Sequence, residues 1–402
     1  MNAVVAGPKR GAGNVDLKSE GKMSRMKIAS VIAACALASC ATPDKAGAPS
    51  AVSPDAPSGA IRARPMISAP LDVSKPLSRI VFASCAEENE DQSLWDKIAG
   101  ENADLLLFIG DNVYGDVRSN DPALPELKAA YMRLADSAPF ARARAASPML
   151  TTWDDHDFGM NDGGADHRYK EQSEALFEYV WNVSDERAQR PGVYGSWTIG
   201  EAGKRVQVIM LDTRFFRSPL KPTDEMGARG KERWLPDADP SKTMLGDAQW
   251  AWLEEELKKP AELHLLVSSI QVMSEGHGWE AWREFPLERE KLYAVIDRTG
   301  AKNVIVLSGD RHSAALYERK DVIGYPLFEA TSSSINLPAA KWRAESGDTY
   351  VEEDPNRLGA MIYDANYGVI DIDWASKTAA FAIRGPNGAN YLSATRALAG
   401  TE

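Results

Sequence analysis

From Arg79 onward the chain alternates short apolar runs with segments of helical period. The runs at 79–84, 104–109, 148–152, 206–211, 263–270 and 303–308 have few polar interruptions. That is the pattern of strands covered on both faces, not the strict alternation of a half-exposed sheet. Between them, 93–99, 127–146, 169–181, 247–258 and 286–299 space their apolar residues as helices do. Ser93, Asp247 and Pro286 stand where caps or first-turn residues belong. Further strand-rich runs follow at 314–318, 325–331, 367–373 and 378–384. Covered strands with helices between them predict an α/β sandwich, strands inside and helices outside. No internal repeat, second linker or low-complexity break interrupts this pattern, so residues 79–402 read as one domain.

The first 78 residues follow other rules. Lys22, Arg25 and Lys27 precede an apolar run from Ile28 to Ser39, too short to span a bilayer as a lone helix. A basic flank, a short apolar region and small residues at the exit describe a secretory signal. The exit, Leu37-Ala38-Ser39-Cys40, resembles the bacterial lipobox, in which the cysteine becomes the lipidated first residue of the mature protein. Ala41 after Cys40 favours outer-membrane sorting by the same resemblance; an ordinary cleaved signal would instead give a soluble periplasmic protein. Residues 1–40 are thus expected to be an extension plus lipoprotein signal, with Met23 or Met26 as the start. Residues 41–78, rich in Ala, Pro and Ser without a hydrophobic period, are expected to form a disordered tether.

Charge and cysteine usage narrow the chemistry. The 402 residues are 44% hydrophobic and carry a formal charge of −12, with no Lys/Arg-rich stripe, which argues against a nucleic-acid partner. An acidic enzyme acting on anions needs local positive charge, and metal ions supply it. Of three cysteines, Cys35 lies inside the signal and Cys40 at its exit. Cys85 is then the lone thiol of the mature domain, unable to pair internally in an oxidising compartment. It reads either as a small buried hydrophobe or as a metal thiolate, and its neighbours must decide.

Those neighbours are found at the strand ends, where α/β sheets collect their chemistry. Cys85 follows the run at 79–84, and Gly110-Asp111-Asn112-Val113-Tyr114-Gly115-Asp116 follows 104–109. Trp153-Asp154-Asp155-His156-Asp157, continuing to Asn161 and Asp162, follows 148–152. Asp212-Thr213-Arg214 and Gly309-Asp310-Arg311-His312 follow 206–211 and 303–308. One Asp after a strand is commonly a turn former; five successive strands that each deliver a ligand or anion-binding type are not explained that way. Carboxylates bridge cations, imidazole and thiolate select transition metals, and Asn offers a neutral oxygen. Two adjacent metals clamp a phosphoryl group and acidify a water.

Gly110-Asp111-Asn-Val-Tyr114 matches the Gly-Asp-x-x-Tyr of purple-acid-phosphatase-like metallophosphoesterases, and Gly309-Asp310-Arg-His312 resembles their last Gly-His-x-His motif. Together with Phe82-Ala-Ser-Cys85, Asp154-Asp-His-Asp157 and Leu211-Asp-Thr-Arg214, these segments are similar to the alkaline phosphatase D (PhoD-like) family, over a stretch from Arg79 to the strand near 384. The chain resembles the short branch that lacks an N-terminal β-domain. The resemblance implies a four-layer αββα metallophosphatase-like sandwich and a site holding Fe(III) and Ca(2+), with Zn, Mn or Mg as other divalent pairs. It implies that Cys85 and Tyr114 bind the iron and that Asp111 bridges it to calcium. Asp155, Asp310 and His312 would complete the shell, with Asn161 as a further candidate; Asp154 could exchange roles with Asp155. His156 stands where the superfamily has its leaving-group proton donor, the alternative being a histidine that orients a carboxylate. Arg214 is expected to clamp phosphate with its guanidinium fork, the alternative being an ion pair with Asp212.

Other histidines and aromatics read as structural. His277, in Gly276-His277-Gly278-Trp279, could reach a substrate from a pocket wall, but packed aromatics explain that stretch equally. His167 and His264 have no partner in the sequence, and Trp250 and Trp252 fall on a helical pattern with Leu253 and Leu257. The expected function is an exported phosphoesterase in which a metal-activated hydroxide attacks a small phosphate ester and His156 protonates the departing alkoxide. The rivals are a phospholipid- or nucleotide-directed phosphodiesterase and a non-catalytic metal-binding surface lipoprotein.

Overall fold

A computed structural model describes residues 63–398. The buried apolar runs form the centres of two sheets. In the first, β1 (Arg79–Ala83), β2 (Leu105–Ile109) and β3 (Met149–Thr152) run parallel, Ile80 opposite Leu105 and Leu107 opposite Leu150. In the second, β4 (Gly195–Ile199) pairs antiparallel with β5 (Val206–Met210). A separate two-residue hairpin joins β6 (Lys221–Pro222) to β7 (Trp234–Leu235). The second sheet continues through β8 (Leu263–Val267), β9 (Val304–Ser308), β10 (Ala314–Arg319), β11 (Leu327–Thr331) and β12 (Arg357–Ile362), in the order β12-β10-β11-β9-β8-β5-β4. The chain then returns to the first sheet as β13 (Tyr367–Asp373), β14 (Thr378–Arg384) and β15 (Asn390–Ala397), completing the order β15-β14-β13-β1-β2-β3.

The period of two along each strand decides which layer every side chain joins. Ile80, Phe82, Leu105, Leu107 and Ile109 point inward and pack with Val206, Val208, Met210, Leu265, Val267 and Leu307 of the opposite sheet. Val81, Ala83, Leu106 and Phe108 point outward, onto α1 (Leu94–Gly100), α2 (Pro125–Asp136), α3 (Ala138–Ala146) and α5 (Lys170–Val180). Between α3 and α5 lies one short turn, α4 (Asp155–Phe158). On the far side, Ile209, Leu266, Val304 and Val306 meet Trp250, Leu253 and Leu257 of α6 (Gly246–Leu257) and Leu292, Val295 and Ile296 of α7 (Pro286–Thr299). The result is the four-layer αββα sandwich. No helix among the described residues is long and apolar enough to cross a membrane.

Three boundaries differ from the sequence reading. The stretch 63–78, expected to be tether, packs on the domain: Met66 and Leu77 are buried, and the Met66 N–H donates to the Val180 carbonyl at 2.7 Å. Residues 1–62, with the signal and Cys40, lie outside the described region. The helix expected over 127–146 is two, because Ser137 leaves the helical region (ψ 112°) and accepts from the Phe140 N–H at 3.4 Å, with Pro139 in the new first turn. Strands β4, β6, β7, β12 and β15 were not anticipated.

Candidate metal centre

The parallel strands of both sheets end at one edge, stitched by short bonds. The Thr152 hydroxyl donates to the Leu211 carbonyl at 3.0 Å, and the Ser84 hydroxyl to the Ser332 carbonyl at 3.1 Å. Four of the predicted residues leave their strands with left-handed backbone: Cys85 (φ 57°), Asp111 (φ 49°), Asp310 (φ 67°) and His312 (φ 50°). Each such conformer costs about 1–2 kcal/mol for a residue with a Cβ and survives only where the surroundings enforce it. Two glycines permit the crowding. A Cβ on Gly110 would lie 2.7 Å from the Asp154 Cβ, and one on Gly309 would lie 2.4 Å from the Ser84 Oγ.

These turns converge the side chains. One ligand atom each from Cys85, Asp111 and His312 lie within 4.8 Å of one another, as do those of Asp111, Asp154, Asp155 and Asp310, and those of Asp111, Asp155 and His156. Asp111 belongs to all three groups, as a bridging carboxylate must. The Tyr114 hydroxyl donates to the Asp111 Oδ2 at 3.2 Å, and the Cys85 sulfur lies 3.5 Å from the same oxygen. The His312 Nδ1–H donates to the Leu337 carbonyl at 2.7 Å, which leaves Nε2 as a free lone pair, the tautomer a ligand needs. Two carboxylate oxygens at this centre, Asp154 Oδ2 and Asp155 Oδ1, are buried without a protein partner.

Such density of acid is unfavourable by itself. Burial and the neighbouring Asp155 carboxylate push the Asp111 carboxyl well up, and burial with the Asp111 charge does the same to the Cys85 thiol and the Tyr114 hydroxyl. Burial and the Asp154 and Asp155 charges likewise raise Asp310. Burial also raises Asp154, to about 7, against the pull of Arg214. Asp155 alone is held below its ordinary value: His156, Arg214 and the Asp162 N–H outweigh the burial that opposes them. Anionic groups so destabilised are the complement of bound cations, which reverse each of these shifts. The donor set of thiolate, imidazole, phenol and carboxylates therefore fits a metal pair.

His156 lines the cleft above the cluster, and its Nδ1 lies 3.0 Å from the Asp116 Oδ1. Burial opposes its charge, but Asp155, Asp111 and Asp116 outweigh burial and hold the imidazole protonated well above its ordinary range. Asn161 is exposed and lines the same cleft.

Arg214 is not where a phosphate clamp must be. Its side chain is 0% exposed, its Nε donates to Asp154 at 2.7 Å, and its Nη1 to Glu280 at 2.5 Å and to the Gly163 carbonyl at 3.3 Å. Every face of the fork is taken, and its partners are Asp154 and Glu280 rather than Asp212, which meets Arg214 through the backbone N–H and also accepts from the Trp153 indole and the Phe215 N–H. Asp154 spends one oxygen on this guanidinium and on Ser269, and Asp155 one on the Asp162 N–H, so each keeps one unpartnered oxygen; of the two, Asp155 lines the cleft. His277 is buried away from the cleft, its Nε2–H donating to Gln271 at 2.9 Å. His264 is tied to the Lys302 carbonyl, His167 packs on Phe158, and Trp250 is core, its Nε1–H donating to Glu288.

Three residues escaped the sequence reading. Ser333, 2.9 Å from the Cys85 sulfur and accepting the His312 N–H at 2.7 Å, sits just past β11 and obeys the strand-end rule. Asp116 lies in the quoted Asp111–Asp116 loop, where its reach to His156 had no local signature. Glu280 had none either, its partner lying 66 residues away.

A cleft of about 600 Å³ opens over Asp155, His156, Asp310 and His312. A two-sheet sandwich with a strand-end cluster of this composition defines a metallophosphatase-like protein. The chain belongs to the PhoD-like phosphatase family, whose model matches residues 80–381. It is 24% identical over 282 residues to alkaline phosphatase D of Bacillus subtilis (strain 168), a match covering 60% of this chain and 46% of that protein. The chain thus spans less than half the length of this curated relative. A solved structure titled as that of PhoD shares the fold, with a TM-score of 0.59 at 19% identity, over 82% of this chain and 70% of that one.

Proposed function

We propose that the protein is an exported, metal-dependent phosphoesterase acting on phosphate monoesters or diesters. The observation that carries this is the convergence, at one cleft, of Cys85, Asp111, Asp155, Asp310 and His312 with ligand atoms in groups no more than 4.8 Å across. Cys85, Tyr114 and His312 would hold a transition metal, iron by family resemblance, and Asp155 and Asp310 a harder cation such as calcium, with Asp111 between them. Asp154 contributes through its unpartnered oxygen or by orienting its neighbours, and Asn161 offers a neutral oxygen in the cleft. When bound, the cations would neutralise phosphoryl oxygens and make water acidic enough to attack phosphorus.

The chain's own residues do the rest. Asp116 fixes the His156 ring and keeps its proton, so that His156 can protonate the departing alkoxide oxygen. Leu337 sets the His312 tautomer, and Ser333 holds Cys85 and the His312 backbone in register. No serine or cysteine nucleophile is required. Buried Arg214 positions Asp154 rather than substrate. The sequence at Leu37–Cys40 supports lipid anchoring to the outer membrane; Cys40→Ser should abolish both a lipid mass shift and membrane association.

The test is hydrolysis of a chromogenic phosphate ester by the wild type, by the wild type after chelation, and by Asp111→Asn. Activity should fall to background in the last two while near-ultraviolet circular dichroism of the variant stays native. A native-like Asp111→Asn that retains activity would sink the proposal.

A further inference from the structure

Two tryptophans of the cleft have no part in the hydrolysis just described. Of the eleven in the chain, Trp95, Trp153, Trp250 and Trp282 are buried, whereas Trp279 and Trp342 are 39% and 42% exposed. Both line the cleft over Asp155, His156, Asp310 and His312, and they come from separate segments. Trp279 precedes the short turn Trp282–Glu284, and Trp342 lies on α8 (Ala339–Ser346), which buries no residue of its own. The Trp342 ring meets His312 edge-on, centroids 4.8 Å apart at 86°, so its indole adjoins the candidate metal ligands directly. Full burial of a large apolar side chain gains about 1.5–3 kcal/mol over full exposure, and indoles 39% and 42% exposed forgo part of that. Two indoles left exposed at one site are therefore best explained by a ring that covers them.

The remaining wall fits the same purpose. Tyr350 and Tyr363 add aromatic surface, each held by a guanidinium: Arg229 lies 4.0 Å over the first and Arg343 3.9 Å over the second. At about 600 Å³ the cleft falls within the roughly 300–1,000 Å³ of sites that enclose whole organic ligands, far more than a phosphoryl group fills. Resting on the phosphoesterase reading above, we infer that this wall is the subsite for the alcohol part of the ester. It selects a planar aromatic or heteroaromatic ring, which lies against Trp342 and Trp279. Ring stacking on an aromatic side chain is worth about 1–3 kcal/mol per ring by alanine substitution and tolerates many ring types. The preference is thus for a class of leaving group, not for one compound.

The experiment compares kcat/KM for 4-nitrophenyl phosphate and glycerol phosphate, both read as released inorganic phosphate, on metal-loaded wild type, Trp342→Ala, Trp279→Ala and Trp342→Phe. Bound metal is measured for each. The aryl-to-glycerol ratio should fall about 5- to 150-fold in Trp342→Ala, mostly through KM, by the stacking energy converted at 1.4 kcal/mol per decade. It should fall less in Trp279→Ala and recover in Trp342→Phe, with metal content unchanged. Equal losses on both esters, or no change of ratio in either alanine variant, would overturn this inference alone. A metal-loaded wild type that cleaves neither these monoesters nor bis(4-nitrophenyl) phosphate overturns the phosphoesterase reading and this inference with it.

Discussion

Cys85 is fully buried at the end of β1, and its sulfur shares the Ser333 hydroxyl with the backbone of His312. A cysteine acting only as core filler has no use for such polar company; a thiolate ligand does. Cys85→Ala should therefore lose bound iron before it loses fold, which metal analysis beside thermal denaturation would show. Arg214 makes the opposite case. Removing it leaves Asp154 and Glu280 buried with less compensation, so Arg214→Met should destabilise the domain by about 3–5 kcal/mol in urea unfolding. A clamp exposed to substrate would instead raise KM at unchanged stability. His277 gives a pH signature. Burial, with help from Arg311 and Arg283, holds its pKa well below the ordinary 6.5, while Nδ1 accepts the Trp279 N–H. Below about pH 6.5 the unfolded chain then binds a proton that the folded one refuses, so stability falls as pH drops toward the folded-state pKa. His277→Gln should reduce that slope between pH 6.5 and 4.5 in urea titrations. The ligand candidates were legible because each follows a buried strand. The partners of Arg214 and His156 were not, since pairings across 40 to 66 residues leave no local pattern.

At the scale of elements, what the sequence revealed depended on burial. The strands β1, β2, β5, β8 and β9 are buried throughout or nearly so, and their apolar runs announced them. Strands β12 and β15 are largely exposed and β4 half-exposed, so no run marked them; pairing with a neighbour places them instead. The break between α2 and α3 was written in Ser137 and Pro139, yet continuous helical periodicity on either side concealed it. The turn after β9 offers an element-level test. A methyl on Gly309 would meet the Ser84 Oγ at 2.4 Å, on the strand end that presents Cys85. Gly309→Ala should thus cost about 1–3 kcal/mol of stability as overpacking and weaken metal retention together. Loss of stability with full metal content would show that the two strand ends are not coupled.

For the molecule as a whole, two sheets bring acidic groups from opposite halves of the chain to one edge, against a net charge of −12. Cations that bind only the folded arrangement must stabilise it, by about 2.7 kcal/mol at one hundred times Kd. Chelation should lower the thermal midpoint reversibly, and re-addition of metal should restore it in differential scanning fluorimetry. The parallel centre, the helical cover and the edge that gathers the candidate ligands follow from runs of apolar residues and the polar residues that end them. The aromatic wall does not, because exposed tryptophans look no different in sequence from buried ones. The most direct test of the central claim is the metal content of wild-type protein purified without chelators. Iron and calcium bound in near-stoichiometric amounts, with iron lost in Cys85→Ala, is the predicted result. A fully active protein that contains no bound metal would contradict the account.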